Sequence, residues 1–324
     1  MTIQAGRLRF SFAALALASG AAAAQTVGFT TLPVGAINNI QAQVIAKVVQ
    51  GHAGLQVRVI PVSGTTATLA AVQNKQAEFS ISNIDNVADA MRSEGVFSQF
   101  PRMDNQRLAF KLLSFPIGIM VRNDGPIKSI QDLKGKRFGS GFQGFPNLIP
   151  LSNGVLAGGG ISLNDTVGVP VSGLIPAADD FKAGKTDGTS IALEAPKVKE
   201  VHAAIPGGVR FLSMPDTPQT RAALQKVKPE YGIMRIEPGP RFAGVHEPIN
   251  VLRIDLMITT GGHVADEVVY KFVKAVAENK AELVKGHPIM NGFFPERMAQ
   301  QYDTVKYHPG AVKYYRERGI WSGS

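Results

Sequence analysis

Short blocks of contrasting hydrophobic period follow one another along the chain. VGFT (27–30) reads as a brief strand. Ile37, Ile40, Val44, Ile45 and Val48 then recur at the i, i+3, i+4 spacing of an amphipathic helix, which Gly51 to Gly54 end. LQVRVIPV (55–62) alternates as a strand, Thr66 to Gln73 is helical up to an Asn74-Lys75-Gln76 turn, and EFSIS (78–82) is a strand again. Alternation of this kind predicts an α/β fold with a mainly parallel sheet.

The plan repeats with different side chains. In SIQDLKGKRFGSG (129–141), Ser129 is the expected cap of a helix that Gly135 stops before a strand enters a glycine-rich loop. AADDFKAGKTDGTSIAL (177–193) echoes LAAVQNKQAEFSIS (69–82) in order: helix, turn, acid, strand. Two similar halves would produce that echo. LLSFPIGIMVRND (112–124) and INVLRIDLMITT (249–260) are the most extended stretches, suited to carrying the chain between two lobes and back. Near the end, Val264, Val268, Phe272, Val276 and Leu283 mark one helical face. Asp266 and Glu267 lie near its start and Lys285 near its end, which suits the helix dipole, and Gly286 and Pro288 stop it.

Composition narrows the setting. Residues 1–24 combine Arg7 and Arg9, an apolar run from Phe10 to Ala18, and Ala22 to Ala24, the three parts of a secretory leader cut after about Ala24. A membrane anchor would need about 20 apolar residues. Export to the periplasm is therefore the expectation. The net charge of +9 falls to +7 once both arginines leave with the leader, and the remaining 300 residues suffice for one large or two modest domains. The absence of cysteine excludes disulfides, thiol catalysis and cysteine-held metals. Lysine and arginine are scattered rather than blocked, so the charge suits an anionic solute or membrane surface and not nucleic acid.

The final stretch HPGAVKYYRERGIW (308–321) resembles the C-terminal signature of the TAXI family of extracytoplasmic solute receptors, which serve TRAP transporters. IKSIQDLKGKRFGSG, AADDFKAGKTDG and SGTTATLAAVQNKQAEFSISNIDNVADA resemble further family segments in the family's order, although the first is shared widely among two-lobed binding proteins. The resemblance implies a type II periplasmic-binding-protein fold, α/β in two lobes, with two crossover strands and a central cleft. Lobe 1 would span 26–115 and 250–324, and lobe 2 would span 116–249. It further implies capture of a small anionic or zwitterionic solute, such as a carboxylate or amino acid, by cleft closure. Delivery would be to TRAP membrane permease subunits driven by a sodium or proton gradient, with no reaction catalysed and no cofactor. A receptor for a sensor or another permease, and a periplasmic hydrolase or transferase on the same fold, are the alternatives.

Candidate solute contacts sit where strands meet helices. Thr30 and Thr31 follow the first strand, in a GFTTLPVG segment that lacks the family's tyrosines. Ser63, Gly64, Thr65 and Thr66 precede a helix, where a hydroxyl caps free amides and the same amides attract a carboxylate. Asn83 and Asp85 follow another strand; Asp85 either caps the next helix or accepts from a solute ammonium. The loop Gly139 to Gly144 carries no phosphate-loop motif, and its Phe142, Gln143 and Phe145 either shape a pocket or anchor the loop. Glu194 faces the cleft or pairs with Lys197 or Lys199. Arg122 and Arg253 lie on the extended stretches as possible cationic partners. The six histidines have no ligand spacing, so no metal is expected, and His308 should pack the tail. No Gly-x-Ser-x-Gly nucleophile elbow occurs.

Overall fold

The computed structural model describes residues 25–34, 36–142 and 148–323. The expected leader, Gln143 and Phe145 lie outside the described residues.

The first lobe opens with β1 (Gln25–Thr31), α1 (Ile37–His52), β2 (Leu55–Pro61), α2 (Thr65–Gln73), β3 (Phe79–Asn83) and α3 (Ile84–Arg92). The apolar stripe of α1 buries Ile45, Val48 and Val49, which is why this amphipathic segment docks rather than frays. Between α2 and β3 the chain reverses at Lys75, which takes a left-handed φ of 59° in the expected turn. The 17-residue strand β4 (Gln106–Arg122) then leads away to β5 (Arg137–Ser140), α4 (Leu148–Ala157), β6 (Val167–Pro170), α5 (Leu174–Lys182), β7 (Thr189–Ala192), α6 (Pro196–Ala204), β8 (Val209–Leu212), α7 (Pro218–Val227) and β9 (Gly232–Ile236). The return strand β10 (Ile249–Gly261) ends in α8 (Asp266–Glu278), α9 (Lys280–Gly286) and α10 (Pro309–Glu317).

Two local expectations change. The helix after Ser129 is a single 3-10 turn, Gln131–Leu133, and Ser129 does not cap it; the Asp132 carboxylate instead accepts from the backbone N–H groups of Lys128 (2.9 Å) and Ser129 (2.8 Å). The single C-terminal helix is two, α8 and α9, broken at Asn279. Its side-chain amide donates to the Ala275 carbonyl at 2.8 Å, and its backbone leaves the helical region at φ −121°, ψ 39°. Asparagine bonds its own turn in competition with the helix ladder.

Strand order repeats between the halves. The first sheet region runs β2-β1-β3-β10-β4. The second runs β6-β5-β7-β4-β8, with β5 and β7 joined by a parallel bridge between Phe138 and Gly188. Each lobe thus inserts the other lobe's incoming crossover strand beside its own third strand. This insertion overturns the expected mainly parallel sheet. Pairings β1–β2, β1–β3 and β5–β6 are parallel, but β10 runs antiparallel to β3, β4 and β9, and β4 to β7 and β8. A strand entering a lobe must run against strands that point back toward the crossing.

Separate cores form on either side of the crossing. In the first, Phe272 of α8 stacks on Phe79 (centroids 4.0 Å apart) and meets Phe29 edge-on at 5.9 Å. Beyond the crossing, one cluster includes Leu252 and Ile254 of β10 and another Val251, and Phe115 packs against the former and against the first lobe's core. His308 is buried at the start of α10, where its Nδ1 accepts from the Gly310 N–H, so it packs the tail as expected.

Candidate functional site

Register along the crossover strands locates the cleft. β3 ends at Asn83 opposite Leu256 of β10, and β7 ends at Ala192 opposite Ile117 of β4. Leu256 opposes Leu113, and Ile117 opposes Leu252. The two strands therefore finish on the same short ribbon from opposite directions. Since β1 and β2 run with β3, and β5 and β6 with β7, three strand ends of each lobe face three of the other, each followed by a helix N-terminus. Ligands of open α/β sheets sit at such carboxyl ends.

One sequence unit stands on both walls. Val62-Ser63-Gly64 leads into α2, and Val171-Ser172-Gly173 leads into α5. Gly64 and Gly173 both occupy the N-cap position with fully extended backbones (φ 176°, ψ 174° and φ 173°, ψ 178°), and among the described residues neither helix receives a side-chain cap. The hydroxyl cap expected before α2 is not made. Each helix thus directs uncapped N–H groups and the positive end of its dipole toward the cleft.

Behind each unit lies a matching brace. The Glu78 carboxylate accepts from the Gly28 N–H at 2.5 Å at the base of the first lobe, and Asp187 accepts from the Arg137 N–H at 2.9 Å in the second. The acid of the echoed segments therefore ties the third strand of each lobe to its first.

The candidate residues are placed unevenly. Thr30 is buried, its hydroxyl within reach of the carbonyls of Thr68 (3.1 Å) and Phe79 (3.2 Å), so it fastens β1 to α2 and β3. Thr31 is buried, with a hydroxyl that has no hydrogen-bond partner among the described residues. Ser63 is exposed, and Gly64, Thr65 and Thr66 are half-buried at the start of α2. Asn83 occupies the N-cap of α3, and its side chain makes no capping hydrogen bond among the described residues. Phe142 is buried against Val171 and Ala177 at φ 33°, an uncommon backbone conformation for an aromatic residue, and so anchors its loop. Glu194 accepts from Arg241 at 2.7 Å, not from Lys197 or Lys199; Lys197 pairs with Asp179 and Glu200. Arg122 is exposed beside Asp124, and Arg253 turns onto Asp255 at 3.2 Å.

Asp85 sits in the first turn of α3 and does not cap it. It lines a cavity of about 330 Å³ with Asn86, Asp89, Gly95 and Val96 from the first lobe and Ile149, Pro150 and Lys228 from the second. Tyr231 donates to its Oδ2 at 3.4 Å, and the neighbouring Asp89 accepts from Lys228 at 2.6 and 2.8 Å. Burial, aided by the Asp89 and Glu230 carboxylates and opposed by the Asn86 N–H and Lys228, raises the Asp85 carboxyl to about 6. Asp89 and Arg92 share the Asp85 face at i+4 and i+7, a stripe readable on a helical wheel. Lys228, Glu230 and Tyr231 had no such signal, since a turn and strand start reveal nothing of a partner more than a hundred residues away.

The NMT1-like family profile matches residues 22–319. The chain belongs to the NMT1-like family. Among solved structures, this NMT1-like chain is similar to a TctC solute-binding protein from Polaromonas, at 14% identity and a TM-score of 0.58 over 91% of this chain and 96% of that one. It is also similar to PhnD1 from Prochlorococcus marinus in complex with methylphosphonate, at 10% identity and a TM-score of 0.54 over 91% and 99%. Likeness at these identities is one of fold, and it places the NMT1-like chain among two-lobed periplasmic-binding-protein folds.

Proposed function

We propose that this protein is an exported receptor that closes its two lobes on a small carboxylate or amino-acid-like solute and delivers it to a TRAP-type secondary transporter. The observation that carries the reading is the pair of uncapped, glycine-led helix starts facing each other across the crossover strands. An anion between them meets free N–H groups and positive dipole ends from both lobes at once. Such a ligand binds the closed arrangement more tightly than the open one, and that difference drives closure. Family membership and the fold support a binding role, and the C-terminal HPGAVKYYRERGIW segment supports the TRAP assignment.

In this reading Thr31, Ser63, Thr65 and Thr66 contribute hydroxyls, and Gly64 and Gly173 allow close approach of backbone to ligand. The unpartnered Thr31 hydroxyl at the end of β1 is consistent with that placement.

A thermal-shift screen of the mature protein against carboxylates, amino acids, sulfonates, phosphonates and sugars tests the reading. A stabilising carboxylate or amino acid recovered chemically unchanged is the expected result; turnover of the ligand, or stabilisation by sugars alone, refutes it. With the hit in hand, Thr65→Val should weaken binding about ten- to a hundredfold, the worth of one hydrogen bond to a charged group. Its melting temperature should stay that of the parent, because the Thr65 side chain makes no hydrogen bond among the described residues and valine has its shape. Normal affinity in this variant refutes the placement of the cleft.

A further inference from the structure

The seam between α3 and the turn joining α7 to β9 holds a charge cluster distinct from the two glycine-led helix starts. Asp85, Asp89 and Arg92 lie on one face of α3. Across the seam Lys228 bonds both oxygens of Asp89, Glu230 accepts from Arg92 at 3.2 Å, and the Tyr231 hydroxyl reaches Asp85. Glu94 pairs with the outer edge of Arg92 at 2.8 Å, while α4 brings only Ile149 and Pro150. Setting aside the exposed Glu94, three carboxylates (Asp85, Asp89, Glu230) face two cations (Arg92, Lys228). Among the described residues, Asp85 and Glu230 each keep one oxygen, Oδ1 and Oε2, without a hydrogen-bond partner. The cluster is thus one proton short of neutrality, and the adjoining cavity borders on Asp85.

We infer that this cluster is an acid-fastened latch, in which a single proton taken up by Asp85 draws the two lobes together. Protonation removes the unpaired negative charge and leaves Lys228–Asp89 and Arg92–Glu230 as two matched pairs. The sign follows from the carboxyl's position. It is raised to about 6 in the assembled seam, against an ordinary value of 3.8, so the assembled state holds the proton more tightly than a parted, hydrated one. The latch is at full strength below about pH 4 and is lost as the pH rises through 6. One such proton changes the equilibrium between assembled and parted lobes by about tenfold from pH 7.5 to pH 5.

The test needs no solute, so it stands or falls apart from the receptor reading. Because the chain has no cysteine, Lys47→Cys on α1 and Lys199→Cys on α6 accept a fluorophore pair that reports the lobe separation. The parent should shift toward the assembled distance by about tenfold in population ratio between pH 7.5 and pH 5. Asp85→Asn, which mimics the protonated acid, should hold the assembled distance at both pH values, and Lys228→Met should part the lobes at both. A pH-independent parent, or an Asp85→Asn variant that keeps the parent's pH response, overturns the proposal. Should Asp85→Asn fail to fold, the carbon-13 titration of the Asp85 carboxyl in the parent decides. A midpoint near 6 supports the latch, and one at about 4, the free aspartate range, overturns it.

Discussion

Replacing Asp255 by asparagine should destabilise the protein at the point where its lobes join. Asp255 is fully buried on β10 opposite Ser114 of β4, within the ribbon that both lobes share. Its carboxylate accepts from Ser114 Oγ (2.5 Å), Tyr302 OH (2.8 Å) and Gln300 Nε2 (3.2 Å), and lies 3.2 Å from Arg253 Nε and 3.6 Å from Lys111 Nζ. Asp255→Asn keeps the shape but removes the charge that two cations share, and it points an N–H₂ group at donors. Breaking a buried ion cluster in this way costs about 3–5 kcal/mol. For a chain of this length that lowers the melting temperature by roughly 6–15 °C.

Lys111 supplies an internal check on that estimate. Burial already lowers its ammonium below the usual lysine range, against the raising effect of Asp255. Without Asp255 it falls further, so the folded variant holds its proton less tightly than the unfolded chain. Stability of Asp255→Asn relative to the parent should therefore recover as the pH rises from 7 toward 10. Calorimetric or circular-dichroism melts across that range measure both effects. A melting temperature within 2 °C of the parent at pH 7, by an ordinary surface-mutation standard of about 0.5 kcal/mol, would refute the idea that this charge cluster holds the crossing. Adding Lys111→Met to Asp255→Leu should restore part of the loss, since no buried lysine is then left unpaired.

Two further perturbations probe the first lobe. Phe272→Ala removes the ring that stacks on Phe79 and meets Phe29 and Phe110, and it should cost about 3–5 kcal/mol in denaturant titrations with an unchanged slope; a loss below 1 kcal/mol would mean that the aromatic cluster is not the core's centre. Gly310→Ala should displace α10 from α8, because a Cβ at Gly310 would meet the Asp266 carbonyl oxygen and lie 2.9 Å from its carbon, and backbone cannot swing aside as a flexible side chain does. Faster hydrogen exchange across α10 and a lower melting temperature are the expected readouts, and unchanged exchange would show that the two helix starts are not in close contact.

Local pattern determined much of this protein. Helical spacing from Ile37 to Val48 and the alternation of LQVRVIPV predicted α1 and β2, because burial of one face imposes its period on the chain. The echo between residues 69–82 and 177–193 foretold two halves with one plan, and the strand orders repeat accordingly. Both extended stretches proved to be the crossover strands. Tertiary structure decided what depends on partners distant along the chain. Insertion of β4 and β10 each into the other lobe made the sheet largely antiparallel, which no local alternation encodes. Phe142 and Thr30 carry residue types that suit either a pocket or a core, and only packing against Val171 and the Thr68 carbonyl settled where their side chains lie. Asp85 reads in sequence as a possible cap or ligand contact. Its pairing with Tyr231, and that of Asp89 with Lys228, arise because folding brings two helix–turn surfaces more than a hundred residues apart to one seam, where burial and uneven charge give an ordinary aspartate a new proton affinity.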